Sequence, residues 1–296
     1  MKLVVSADLH LREDRPRCRI DEDWIETQKK ALEQVADICI KKDGDLFLVG
    51  DIFHKFSEFR MVVYIQKLAQ KLKKDSLSLY YLCGNHDNLY HSSLNIDKSA
   101  IGLLKNSENC FYIKDYFEKL DFDDSNYSAG NFDEEDNYNA QIVFKHTLTI
   151  PEEDKNPLIE CETPESLVKK FPNARYIFTG DYHKNFCKKI KNTYVINPGC
   201  ILRQVSDMKD YQCGVYFVDT DKDIQEFIHI TDNEELVDDS YILKENERDD
   251  RISNFVDKLK DTKNISLDFV SNVEESIRRN NLDENIISVI NELMEV

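Results

Sequence analysis

The sequence predicts an α/β domain with a buried sheet, followed by a small helical extension. Two observations carry that expectation. Over the first 220 residues, short apolar runs alternate with segments of helical spacing. From about Thr231 the character changes to acidic, helix-like segments. The expected units are therefore residues 1–230 and residues 231–296.

Taken in order, Leu3 to Ser6 is a short apolar strand. Trp24 to Lys41 places Ile25, Ala31, Leu32, Val35 and Ile38 at helical spacing. Leu46 to Val49 is a second buried strand. Arg60 to Leu72 carries Val63, Ile65, Leu68 and Leu72, which suits a helix, and Leu77 to Cys83 is a third strand. Residues 121–139, rich in Asp, Asn and Ser, read as a loop or short hairpin. Further strands are expected at Gln141 to Lys145, Tyr176 to Thr179, Tyr194 to Ile196 and Val215 to Val218. Residues 151–164 hold three of the six prolines and many acids, which marks a surface loop before a helix at Pro164 to Phe171. Beyond Thr231, helices are expected near Glu245 to Leu259, Leu267 to Ile277 and Asp283 to Met294. The last places Ile286, Ile287, Ile290, Leu293 and Met294 on one side.

Composition narrows the function. With 296 residues, 41% of them hydrophobic, the chain can build a full core. No run of about 18 apolar residues occurs, so no membrane partner is expected. The N-terminus reads as a buried strand, not a signal peptide. Eight scattered cysteines without a CxxC pair argue against a zinc ribbon and for reduced thiols in the cytoplasm of a bacterium or a phage-infected host. The net charge of −18 is uneven, since Asp221 to the end holds 21 acids against 9 bases. An acidic chain does not bind DNA by bulk charge.

The chemistry sits directly after the predicted strands. In chain order these segments are Asp8-Leu9-His10, Gly50-Asp51-Ile52-Phe53-His54, Gly84-Asn85-His86-Asp87, His146, and Gly180-Asp181-Tyr182-His183. Open α/β sheets build their sites at this C-terminal edge. Five of the seven histidines lie in these loops. Any one segment alone has a bland reading: a lone histidine such as His146 is more often a satisfied polar residue. The ordered set offers carboxylate, amide and imidazole ligands and no thiolate, which suits manganese, iron or zinc.

The ordered series resembles the calcineurin-like metallophosphoesterase superfamily, with its DxH, GDxxx, GNHD, H and GHxH blocks. Within it the chain looks most like SbcD-type exonucleases and their phage recombination-endonuclease counterparts. Three features carry this: the GNHD ends in Asp87, Phe53-His54 follows Gly50-Asp51, and Asn197-Pro198-Gly199-Cys200 precedes Arg203. The resemblance implies a four-layer αββα sandwich and a metal-dependent DNA nuclease subunit with two divalent ions, manganese being the expected metal. Asp8, His10, Asp51 and His183 would hold one ion. Asp51, Asn85, His146 and Asp181 would hold the other. His86 would be the catalytic histidine, Asp87 would orient it, and His54 would assist near the substrate. One position departs from the pattern, Asp181 standing where the family has histidine. It is either a ligand, the favoured reading, or a structural residue beside a weakened second site. Arg12, Arg15, Arg17 and Arg19 flank the first loop. They either grip phosphate or pair with Glu13, Asp14, Asp21 and Asp23. Arg17, Arg19 and Arg203 are the substrate-binding candidates. The implied partners are DNA and an SbcC-like ATPase subunit, with a homodimer also possible. The rival is a small phosphoesterase acting on nucleotides, cyclic nucleotides or phosphoproteins.

Overall fold

In the computed structural model the described residues are 1–113, 127–130, 139–231, 237–238, 240, 269–280 and 282–294. The chain divides into two compact units, Met1–Asp238 and Asp239–Val296. The first runs past Thr231 because Val237 bridges Arg19 and the Asp238 N–H donates to the Cys18 carbonyl at 2.7 Å.

The first unit carries two sheets. One contains β1 (Lys2–Ser6), β2 (Asp45–Val49), β3 (Leu79–Leu82), β4 (Cys110–Tyr112), β10 (Gly214–Asp219) and β11 (Ile224–His229), in the order β11-β10-β1-β2-β3-β4. β1 to β4 run parallel, and β10 returns antiparallel to both β1 and β11. The other contains β5 (Tyr127–Gly130), β6 (Ile142–Leu148), β7 (Tyr176–Gly180), β8 (Phe186–Ile190) and β9 (Thr193–Asn197), in the order β5-β6-β7-β9-β8. Only β8 is antiparallel there.

The sheets meet through aromatic rings. Phe47 on β2 stacks on Phe144 on β6 at 4.9 Å, and Phe144 stacks on Phe178 on β7 at 5.0 Å. Offset stacking of this kind adds to the burial term. Helices cover the outer faces. α1 (Trp24–Lys42) starts where the Asp23 side chain accepts the Glu26 N–H, and it buries Trp24, Ala31, Leu32, Val35, Ala36 and Cys39. It packs beside α2 (Val62–Lys74), which buries Val62, Ile65, Leu68, Ala69 and Leu72. On the other sheet, α3 (Pro164–Lys170) begins with a capping box between Thr163 and Ser166. Leu167 and the following Phe171 pack with Val143, Ile177 and Val195. The result is the αββα arrangement.

The structure differs from the sequence expectations in four strands. β5 lies inside residues 121–139, the stretch read as a loop or short hairpin, and its four residues pair parallel with β6. β8 reads Phe-Cys-Lys-Lys-Ile and is an edge strand with Lys189 exposed and Lys188 half-buried, which hid its pattern. β11 is an edge strand of the other sheet and is also polar, and β4 has only three residues. In the second unit, α4 (Phe269–Asn280) and α5 (Glu284–Met294) form close to where the spacing placed them. The helix expected at Glu245 to Leu259 lies outside the described residues. Among the described residues, no helix is long and apolar enough to cross a membrane.

Candidate metal centre

The loops after β1 and β2 zip together beyond the sheet. The Asp8 N–H donates to the Gly50 carbonyl at 3.2 Å, His10 N–H to Asp51 at 3.0 Å and Leu11 N–H to Ile52 at 2.9 Å. Asp8 (φ 50), His10 (φ 43) and Asp51 (φ 48) all adopt the left-handed region, as does Asp181 (φ 75). L side chains avoid that region because Cβ crowds the following carbonyl oxygen. Strain of this kind collects where side chains must converge. Two glycines make room. Gly50 (φ 80) leaves space that a Cβ would take from the His146 ring, and a Cβ on Gly84 would collide with the Asp51 carboxylate.

The buried Asp51 carboxylate stands at the middle. Its Oδ1 accepts the His86 N–H at 3.0 Å. Its Oδ2 has no hydrogen-bond donor, yet faces His146 Nε2 at 3.4 Å and His10 Nε2 at 3.7 Å. The His146 Nδ1 lies 2.8 Å from the Val49 carbonyl, so that nitrogen carries the proton. Its Nε2 lone pair then points at two oxygens, Asp51 Oδ2 and Asn85 Oδ1, the latter at 3.3 Å. Three acceptors facing one another need a cation between them. Close by, His10 Nε2 and His183 Nε2 approach to 3.1 Å. Ligand atoms of Asp8, His10 and His183 lie within 4.8 Å of one another, and so do those of Asp8, Asp51 and His146. The donor set therefore fits two divalent cations, with Asp8 within reach of both clusters.

The electrostatics agree. Burial pushes the Asp8 carboxyl up to about 8, against the pull of His146. Burial alone would also raise Asp51, but His146 and His10 outweigh it and hold Asp51 well below the usual carboxylate range. Burial would lower His146, but Asp51 and Asp8 push it up to about 10. Burial depresses His10 and His183. A proton and a metal ion thus compete for one His146 lone pair.

A third cluster joins His10, His54 and His86. The His86 ring stands perpendicular to His10 with centroids 4.9 Å apart, and His54 lies 5.9 Å from His86. His86 Nδ1 is 3.0 Å from the His54 carbonyl, which leaves Nε2 for other work. Burial and then the Arg12 charge bring His54 down to about 4. Asp87 is fully buried and does not bond the His86 ring. Its carboxylate accepts the N–H groups of Phe53 (2.8 Å), Gly84 (2.9 Å) and Ile52 (3.2 Å). The expected orienting role thus passes to the His54 carbonyl, and Asp87 ties the second loop to the third. Burial raises its carboxyl to about 7.

Asp181 enters the centre through its backbone, its N–H meeting both Asp8 oxygens at 3.0 and 3.1 Å. Its carboxylate joins none of the three clusters among the described residues. The Asn197-Pro198-Gly199-Cys200 segment braces the last loop: Asn197 Nδ2 donates to the Tyr182 and Lys184 carbonyls, and Cys200 N–H to the His183 carbonyl at 3.1 Å.

The arginine expectations need correction. Arg19 is 1% exposed, and its guanidinium forks onto Asp21 at 2.7 and 2.8 Å. It also donates to the Arg203 carbonyl at 3.3 Å and lies over the Trp24 ring. Arg203 is 3% exposed and donates to the Tyr211 carbonyl at 2.7 Å. Both are buried braces in this structure: Arg19 is paired with Asp21, and Arg203 holds the Tyr211 carbonyl. Arg12 pairs with Asp14, and Arg15 donates to the Asp21 carbonyl. Arg17 stays on the surface. Two residues without an assigned role adjoin the centre. His91 Nδ1 lies 2.8 Å from the Asn85 carbonyl, and Gln204 Nε2 donates to the Leu9 and His10 carbonyls. Neither follows a strand directly, so the pattern that exposed the other residues passed over them.

Residues 1–223 match the family model described as calcineurin-like phosphoesterase superfamily domain. No curated protein matches the chain. Similar solved structures include a protein of Thermus thermophilus, 11% identical, covering 78% of this chain and 99% of its own, with a TM-score of 0.43. A novel archaeal phosphodiesterase is 13% identical over 77% of this chain and 99% of its own, with a TM-score of 0.41. A hypothetical protein from Pyrococcus horikoshii is 15% identical over 97% of this chain and 96% of its own, with a TM-score of 0.41.

Proposed function

The chain belongs to the calcineurin-like phosphoesterase superfamily, and from that premise we propose that it is a metal-dependent phosphodiesterase that cuts DNA. The observation that carries the hydrolase reading is the orphaned Asp51 Oδ2, facing His146 and His10 across the meeting point of the strand-end loops. Asp8, His10, Asp51 and His183 would hold one divalent ion, and Asp51, Asn85 and His146 the second. Asp181 adds its charge beside His146. When bound, two divalent cations, manganese being the expected pair, supply charge to a phosphate ester and make a water more acidic.

The chain's own residues do the rest. His86 has Nδ1 committed to the His54 carbonyl, so its Nε2 is the atom that can protonate the leaving oxygen or bind the phosphate. Asp51 Oδ1 holds the His86 backbone, which keeps the ring at a fixed distance from the carboxylate. Asp87 locks the two loops that carry His54 and His86. The finer assignment, a nuclease subunit of the SbcD type, rests on Phe53-His54 and on the GNHD ending in Asp87. With a net charge of −18 the chain would rely on a partner to grip duplex DNA, and an SbcC-like ATPase fits that need. The C-terminal extension would provide the docking helix.

The same charge favours one rival, a phosphoesterase for nucleotide-sized substrates. A substrate panel with manganese separates them: end-labelled linear duplex and single-stranded DNA, bis-p-nitrophenyl phosphate and p-nitrophenyl phosphate. Shortening of the DNA together with diester hydrolysis is expected. Turnover of the monoester alone would remove the nuclease reading.

A further inference from the structure

The segment after the Asn85–Asp87 loop has a backbone that its residues do not favour. Tyr90 (φ 57, ψ 27) and His91 (φ 49) lie consecutively in the left-handed region. Glycine or asparagine would hold such a turn with less strain. Several bonds impose it. The His91 N–H donates to the Asn88 carbonyl at 3.1 Å, and His91 Nδ1 lies 2.8 Å from the Asn85 carbonyl. Asn88 Nδ2 donates to the Gly84 carbonyl at 3.0 Å, and the Leu89 N–H to Ser99 Oγ at 3.1 Å. The segment is thereby tied to the loop that carries Asn85 and His86, and the His91 ring stands 6.3 Å from the His86 ring.

Strain is usually offset by burial, and here it is not. Tyr90 is 82% exposed, whereas Tyr80, Tyr81, Tyr112, Tyr176 and Tyr216 are all buried. The turn thus carries an exposed aromatic residue next to His91, whose own ring stands beside His86. An aromatic face open to solvent suits a flat apolar ligand, because stacking would bury apolar area on both partners. In a nucleic acid strand, bases alternate with phosphates, so a phosphate at His86 brings a base close by. Stacking also needs no positive charge, which matters for a chain of net charge −18.

We propose that Tyr90 is a stacking platform for a nucleobase of single-stranded nucleic acid whose phosphate lies in the metal centre. This rests on the nuclease reading above. The test is fluorescence anisotropy of the full-length chain with manganese, using labelled single-stranded oligonucleotides with cleavage-resistant phosphorothioate linkages, one carrying bases and one of equal length built of abasic nucleotides. Tyr90→Ala should raise the Kd for the intact strand about 5- to 100-fold. Tyr90→Phe should bind it as the parent does, and all three proteins should bind the abasic strand alike. Two results overturn the platform: an alanine variant that binds the intact strand like the parent, or one that weakens both strands equally, which marks a structural role. A parent chain that binds the two strands with equal affinity overturns it as well. The nuclease reading stands or falls separately, on whether the parent shortens end-labelled DNA with manganese.

Discussion

His86 and Arg19 show how a single side chain's surroundings decide what its loss does. His86 is held by its backbone N–H to Asp51 and by Nδ1 to the His54 carbonyl, and the ring itself is in neither metal-fitting carboxylate cluster. His86→Ala should therefore lower diester turnover by about 10²–10⁴-fold while the metal content stays that of the parent. Rate and metal analysis on the same sample check this, and a variant that has lost its ions would make His86 a ligand. Arg19 answers differently. Its ion pair with Asp21 is buried on both sides, with side chains 0% and 2% exposed. Arg19→Ala leaves the Asp21 carboxylate without its partner in the interior, at a cost of about 3–5 kcal/mol. Urea unfolding should show that loss, with the KM for bis-p-nitrophenyl phosphate unchanged. A raised KM at parental stability would return Arg19 to the substrate.

Loops and strands set the next scale. The centre exists because β1, β2, β3, β6 and β7 end at one edge of two facing sheets, and because their loops interlock. Gly84 is one point where that interlocking is tight, since an added Cβ would clash with Asp51 Oδ1 and the Asp51 backbone nitrogen. Gly84→Ala should displace the carboxylate, destabilise the fold by about 1–3 kcal/mol and weaken binding of both ions together. Metal titration beside thermal melting tests it; two undisturbed sites would show that the loop yields elsewhere. The four strands that sequence reasoning missed, β4, β5, β8 and β11, are the sheet edges, and in β8 and β11 the apolar pattern is interrupted on both faces by Lys188, Lys189, Gln225 and Glu226. Buried strands such as β1 and β2 were legible because both of their faces are apolar.

For the whole molecule, the charge is as informative as the fold. The chain from Asp221 onward carries 21 acids against 9 bases. The first unit has its own sheets, its own covering helices and all the residues of the candidate centre. A chain ending at Asp238 should therefore melt cooperatively and keep its hydrolysis of bis-p-nitrophenyl phosphate. If the extension docks an ATPase, the same truncation should lose ATP-dependent processing of duplex DNA. Pull-down with the ATPase checks the docking, and a stable truncation that still binds it normally would end that idea.

The sequence by itself determined the α/β class, most of the buried strands and the ordered series of strand-end residues. Periodicity and residue type are local properties, and a parallel sheet brings every strand-end loop to one edge. Only the tertiary structure decided which of those residues meet. It turned Asp181 inward by its N–H, and it made Asp87 a brace between loops. It buried Arg19 and Arg203, and it brought His91 and Gln204 to the centre. Each outcome depends on the direction of a side chain across contacts far apart in sequence, such as the 173 positions between Asp8 and Asp181. Spacing along the chain carries no record of that direction.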